Sequence, residues 1–203
     1  DLSQLLVEKV ARPIDDKNNP VLLEIRNVKK YFPLEKTMFG GVKSWVKAVD
    51  DVTLKVRKGR TLGLVGESGC GKTTLGRTVL RLLEPTSGEI IYNGQDITKL
   101  SKSDMRALRR KVQIIFQDPY SSLNPRMTVF ELIADPLIAN KSIPRKAEIS
   151  EYVFELMEKV GLSHRLVNTY PHELDGGRRQ RIGVARALAL KPKFIVCDEP
   201  VSA

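Results

Sequence analysis

The sequence predicts an α/β fold built around a mostly parallel sheet. Three observations carry this. Short apolar strand patterns alternate with helical ones, a glycine-rich loop joins one such strand to a helix, and a helical block over 129–166 interrupts the alternation. With 203 residues, 41% of them hydrophobic, the chain can bury the core of one domain, or of one domain with a smaller subdomain.

The elements follow in order. The polar, irregular residues up to Pro20 read as a loose leader, with no basic start, no long apolar stretch and no initiator Met, as in a trimmed chain. Val21–Val28 alternates in part and predicts an edge strand. Pro33–Lys47 breaks periodicity and predicts a hairpin loop or exposed insertion. Ala48–Val56 predicts a half-buried strand ending at the Lys58-Gly59 turn. Thr61–Val65 is short and apolar, as in a strand buried on both faces of a parallel sheet. A helix is expected over Thr73–Leu83, stopped by Pro85 and Gly88. Glu89–Tyr92 predicts a strand turning tightly at Asn93-Gly94, and Ser103–Arg110 a short helix capped by Ser101 or Ser103. Val112–Phe116 predicts a buried strand that delivers Gln117 to a loop. Val129, Leu132 and Ile133, then Val153, Leu156, Met157 and Val160, form two helical stripes. A helix is expected from Gly176-Gly177 to Leu190, then a buried strand, Phe194–Cys197, ending in Asp198-Glu199.

Gly66-Glu67-Ser68-Gly69-Cys70-Gly71-Lys72-Thr73 has the P-loop spacing at every fixed position, between an apolar strand and a helix. Glycines let backbone N–H groups turn inward around an anion without Cβ collisions. The following helix points its positive end at phosphates. Lys72 supplies a point charge to β- and γ-phosphates, and the Thr73 hydroxyl is a Mg²⁺ ligand. A glycine-rich turn with a chance lysine is the bland alternative, and the strand–loop–helix setting weighs against it. Asp198 sits where a P-loop ATPase places the acid that holds Mg²⁺. Glu199 would face the γ-phosphate and polarise the attacking water. An apolar strand ending in two acids is weak by itself and gains weight beside a P-loop.

Leu174-Asp175-Gly176-Gly177-Arg178-Arg179-Gln180-Arg181, followed by Val184-Ala185-Arg186-Ala187-Leu188, resembles the signature motif of ABC ATPases. With the P-loop, Gln117 and Asp198-Glu199 in the family's order, the resemblance covers roughly residues 22–203. Within the family, Phe116–Pro125, Val65–Lys72 and the spacer Pro33–Lys47 look like the dipeptide/oligopeptide importer branch. The resemblance implies a P-loop NTPase core with an antiparallel N-terminal β portion and an inserted helical subdomain. Residues 1–21 would be a flexible leader, 22–117 and 171–203 the ATP-binding core, and 118–170 the helical subdomain that contacts the permease. It also implies ATP and Mg²⁺, a second ATP-binding subunit (homo- or heterodimeric), transmembrane permease subunits, and a peripheral place on the cytoplasmic face of the membrane. Gly66 to Gly71, Lys72, Thr73 and Thr74 of one subunit would sandwich ATP with Asp175, Gly176 and Gly177 of another. Phe32, with Tyr31 as its rival, looks like the aromatic that stacks on adenine. Glu199, Lys72 and Gln117 would be catalytic, and Thr73, Gln117 and Asp198 would hold the metal.

Two departures qualify the resemblance. The family usually has Ser where this chain has Asp175, and commonly Gln where it has Arg178. An ionised carboxylate cannot donate to a phosphate. The expectation is that the site using this signature is weakened, or that Asp175 turns away from it. The sequence also stops at Ala203, before the family's dimer-contact loop and a γ-phosphate-contacting His. His164 and His172 lie too early for that role and are expected to be structural or exposed. The remaining arginines, Arg178, Arg179, Arg181 and Arg186, are expected on the helix surface or in ion pairs.

Lys and Arg outnumber Asp and Glu by 34 to 24, a net +10. Such an excess suits nucleic acid, anionic lipid or bound polyphosphate, but most simply a solvated basic surface, and no nucleic acid is expected. Two rivals to peptide import remain at this stage. One is a soluble ABC ATPase acting on nucleic acid or ribosomes, the other a non-hydrolysing regulatory partner. Cys70 and Cys197 lack metal-ligand spacing, which fits a reduced cytosolic protein. No stretch approaches the ~20 apolar residues a spanning helix needs.

Overall fold

The computed structural model describes residues 19–36, 42–118, 122–143 and 145–198. It divides into two compact units, residues 1–105 and 106–203.

In the first unit, β1 (Val21–Lys36), β2 (Val42–Arg57), β3 (Ser87–Tyr92) and β4 (Gln95–Asp96) form one antiparallel sheet in the order β2-β1-β3-β4. Period-two alternation sets its faces. Leu23 and Ile25 point inward with Ile90 and Tyr92, while Glu24 and Arg26 point outward. There Arg26 and Lys55 each lie about 3 Å from Glu24, at 3.0 and 3.1 Å. Val28 is also buried, three residues after Ile25, because a register shift falls between them. At the shift Asn27 takes φ 48°, its N–H donates to Thr53 Oγ1 (2.9 Å), and its amide donates to Asp51 (3.2 Å). The helix α1 (Lys72–Val79) lies against β1 and β2, burying Leu75 and Val79.

Four expectations are corrected here. Val21–Val28 is no edge strand, since β1 lies between β2 and β3. Part of the supposed insertion is strand: Tyr31, Phe32 and Pro33 pair with Lys47, Val46 and Trp45. Proline is tolerated because β3 pairs with β1 no further than Lys29, leaving that side of Pro33 without a ladder. Residues 37–41 lie outside the described residues. Thr61–Leu64 join no ladder and Val65 makes one isolated bridge, 52% exposed. A strand exists only through its neighbours, and among the described residues the four from 61 to 64 join none. The helix after the loop is also shorter than expected, because Arg81 turns the chain with φ 49°. The Asn93-Gly94 turn is as expected, with Tyr92 opposite Gln95 and φ of 49° and 81°.

A short helix, α2 (Lys102–Arg109), spans the boundary between the units; Ser101 Oγ accepts from the Asp104 N–H at 3.2 Å. In the second unit, β5 (Val112–Ile115) and β6 (Phe194–Cys197) pair in parallel, Val112 opposite Phe194 through Ile115 opposite Cys197. The expected burial of β6 is not met: Phe194 to Val196 are half-buried and Cys197 is exposed, as befits a strand with a single partner. The helices α3 (Val129–Ala139), α4 (Lys146–Lys159) and α5 (Gly176–Leu188) enclose a core of Val129, Ile133, Val153, Met157, Ile182 and Ala185, all 0% exposed. Both predicted stripes supply it. Thr128 and Glu131 form a capping box that fixes the start of α3.

Candidate functional site

The P-loop is built by its glycines. Gly69 and Gly71 take φ of 81° and 100°, which residues with a Cβ rarely adopt. Nothing lies within 4 Å of a Cβ added at Gly69, so backbone conformation, not space, demands glycine there. Gly71 is the residue before α1, and the Leu75 N–H donates back to its carbonyl at 2.8 Å. Lys72 opens the helix and folds over the loop: its Nζ donates to the Gly66 carbonyl (2.7 Å) and the Glu67 carbonyl (2.8 Å), and lies 3.7 Å from Cys70 Sγ. Thr73 and Thr74 follow in the first turn, both half-buried. The Thr74 carbonyl accepts from Thr78 Oγ1 at 2.7 Å. Glu67 and Ser68 are exposed. The result is a helix N-terminus, amides at a tight turn and an ammonium within one loop, which is the equipment for binding an anion.

Tyr31 and Phe32 sit on the β1–β2 hairpin. The Tyr31 hydroxyl donates to Asp50, which pushes its pKa up to about 12, and the Lys47 ammonium lies 5.5 Å from the ring centre. The Lys30 ammonium lies 4.9 Å from the ring centre of Phe32.

In the second unit, Asp198 ends β6 with 9% of its surface exposed, and its N–H donates to the Ile115 carbonyl at 2.9 Å. That bond carries the parallel register one residue beyond the strand pair. Gln117 lies exposed two residues after β5. Glu199 lies outside the described residues. The turn before α5 presents Asp175 as its N-cap: Oδ1 accepts the Arg178 N–H at 2.7 Å, and the Arg178 guanidinium lies 3.4 Å from Oδ2. Gly176 and Gly177 follow, exposed. The side chain thus turns onto its own helix. His164 contacts Glu158 at 3.2 Å and Phe154, and His172 stacks on Tyr170.

Two arginines are not where the sequence reading put them. Arg179 is 5% exposed and donates from Nε to the Pro171 carbonyl at 2.5 Å and from Nη2 to the His172 carbonyl at 3.3 Å. Arg186 is half-buried and donates to the Ser122 carbonyl at 2.7 Å. Both recur at helical spacing with the fully buried Ile182, a signal present in the sequence.

The family profile described as ABC transporter matches residues 49–202. This chain belongs to that family. Among curated ABC relatives, it is 50% identical over 187 residues to the oligopeptide transport ATP-binding protein AppF of Bacillus subtilis (strain 168), covering 92% of this chain and 56% of that protein. It is 49% identical over 185 residues to the oligopeptide transport ATP-binding protein OppF of Escherichia coli (strain K12), covering 90% and 55%. The chain therefore spans about half the length of the curated relatives it matches. The solved ATP-binding cassette MJ0796, a dimer in a post-hydrolysis state bound to ADP and Pi, superposes with a TM-score of 0.79 at 28% identity, covering 90% of this chain and 75% of that one. The fold is accordingly the α/β P-loop fold of ABC ATPases.

Thr73 in the first unit, and Gln117 and Asp198 in the second, each carry a hard oxygen donor. No cluster of three or more His, Cys, Asp or Glu able to hold a metal occurs among the described residues. Donors of that type suit Mg²⁺, which is usually held by one or two carboxylates with substrate phosphates and water, not by an all-protein cage.

Proposed function

We propose that this chain is the ATP-binding and hydrolysing part of a subunit that powers ABC-type import of peptides. The observation that carries the reading is the P-loop: left-handed Gly69 and Gly71 bend the chain into the start of α1, with the Lys72 ammonium folded back onto the Gly66 and Glu67 carbonyls. Lys72 balances charge on the β- and γ-phosphates, and the backbone N–H groups of Gly69 to Thr74 donate to the phosphate oxygens. Thr73, Gln117 and Asp198 would hold Mg²⁺, which when bound would supply neutralising charge to the phosphates. Glu199 orients the attacking water and Gln117 senses the γ-phosphate. Phe32 or Tyr31 stacks on adenine. Asp175, Gly176 and Gly177 face the nucleotide of a second ATP-binding subunit.

The peptide branch is supported by relatives at about half identity, whose names specify oligopeptide transport. Residues 22–117 and 171–203 serve as the ATP-binding core, and 118–170 as a helical subdomain that docks on transmembrane permease subunits. No helix among the described residues is long and apolar enough to cross a membrane. On this reading the chain sits peripherally on the cytoplasmic face, held there by those permeases.

Lys72→Ala tests the reading. Loss of a charge-assisted hydrogen bond costs about 1.5–3 kcal/mol, so affinity for MgATP should fall roughly 10- to 100-fold in equilibrium dialysis. Unchanged affinity would refute nucleotide binding at this loop.

A further inference from the structure

Arg186 has no part in the nucleotide chemistry proposed above, yet it makes a polar link between two segments that do. It sits on the last turn of α5, about 15 Å along the helix axis from Gly176 at 1.5 Å per residue. Its guanidinium donates to the Ser122 main-chain carbonyl at 2.7 Å. Ser122 belongs to the stretch that follows β5 and Gln117. Arg186 also lines a small cleft with Ile115 and Phe116 from β5 and its exit, and with Gln180 and Gly183 from α5. Phe116 is the residue immediately before Gln117. One charged side chain therefore ties the exit of β5 to the helix that carries Gly176 and Gly177.

Its surroundings make that tie demanding. Burial pulls the Arg186 guanidinium below its ordinary pKa, and Asp135 on α3 works against that pull. A withdrawn cation needs its hydrogen bonds, because a charge left without partners in a poorly hydrated place is costly. The acceptor is main-chain oxygen, so the bond fixes the backbone at Ser122 whatever side chain that position carries. A half-buried, planar, multi-donor head on a rigid helix cannot follow a moving carbonyl without the helix moving too, or the bond breaking.

We infer that Arg186 is a positioning residue that couples the Gln117-bearing segment to the signature helix α5, so that a shift at Gln117 is delivered to Gly176 and Gly177. The inference rests on the proposed function, since Gln117 and the α5 N-terminus are assigned their roles there. It adds the physical connection between them, which runs within the second unit.

Hydrogen exchange on the full chain, with and without MgATP, tests it in the parent, Arg186→Gln and Arg186→Lys. In the parent, MgATP should slow exchange around Lys72, over 112–118, and in the first turn of α5, the last by at least about fivefold, the low end for coupled sites. In Arg186→Gln the protection over 112–118 should remain while that at the α5 first turn falls below about twofold. A residue that only stabilised the fold would lower protection in both places together. Equal α5 protection in parent and Arg186→Gln overturns the inference and leaves the proposed function standing. No protection around Lys72 in the parent overturns both. Should Arg186→Gln fail to fold, Arg186→Lys decides. Its single flexible ammonium should reduce α5 protection relative to 112–118 by about twofold or more, and an unchanged ratio overturns the inference.

Discussion

Asp175 caps its helix and, under the proposed function, also faces a phosphate, and these two demands pull in opposite directions. As N-cap it satisfies the Arg178 N–H at 2.7 Å, and its Oδ1 would lie 3.5 Å from a Cβ added at Gly177, so the carboxylate overlies the first turn of α5. Serine and aspartate cap helices about equally well. They differ toward an incoming phosphate, because two unit charges 4 Å apart repel by roughly 4 kcal/mol at an effective dielectric of about 20. The Arg178 guanidinium, 3.4 Å away, offsets part of that. Asp175→Ser should therefore leave stability within about 0.5 kcal/mol and strengthen MgATP-dependent self-association by about tenfold or more. Light scattering against chain concentration measures this, and an association constant equal to the parent's would rule it out. The oddity of Asp175 was legible in the sequence, since it interrupts a recognisable motif. Its cap was not, because that depends on the φ and ψ of the turn. Arg179 and Arg186 were misread for a simpler reason. Charge suggested surface, while their spacing with Ile182 placed them on the inward stripe, and main-chain carbonyls there accept the guanidinium protons.

Among the elements, the junction of β1 and β3 is the least forgiving. Gly88 takes φ 95°, and a Cβ there would lie 2.5 Å from the Asn27 carbonyl oxygen, 2.6 Å from Val28 Cα and 2.7 Å from the Arg26 carbonyl oxygen. All three contacts are backbone of the β1 bulge, so none can swing aside. Gly88→Ala should destabilise the chain by about 2–4 kcal/mol, from left-handed strain and overpacking together. Gly94→Ala is the control: φ is also positive at 81°, but nothing lies within 4 Å, so only the conformational part of about 1 kcal/mol remains. Urea denaturation of both separates the terms, and equal losses would mean that the close approach contributes nothing. Sequence periodicity revealed α3 and α4 because their stripes repeat over several turns, and Asn93-Gly94 revealed the β3–β4 turn. It overstated Thr61–Val65 because an apolar run specifies burial without specifying a ladder partner. It understated β1 because Pro33 reads as a breaker until the geometry shows its unpaired side.

At the scale of the whole molecule, each unit carries its own core: Ile25, Val28, Val49 and Ile90 in one, Ile133, Val153, Met157 and Ile182 in the other, all 0% exposed. Reporters of the two cores can therefore be read separately. Trp45 is the chain's single tryptophan, and it lies on β2 of the first unit, 51% exposed. The P-loop belongs to that unit, so ligand binding at Lys72 must appear in its unfolding. A ligand at a hundredfold excess over its Kd adds about 2.7 kcal/mol to the stability of whatever unfolds with the site. Trp45 fluorescence should then report a MgATP-dependent rise in the unfolding midpoint that Lys72→Ala abolishes. Far-UV circular dichroism is weighted toward α3, α4 and α5 of the second unit, and it measures whether that core unfolds in the same transition. Coincident curves would make the chain one cooperative molecule. Separated curves, with the MgATP shift confined to the Trp45 transition, would make the first unit the seat of binding energy. A Trp45 midpoint indifferent to saturating MgATP would contradict anion capture by the Gly66–Thr73 loop.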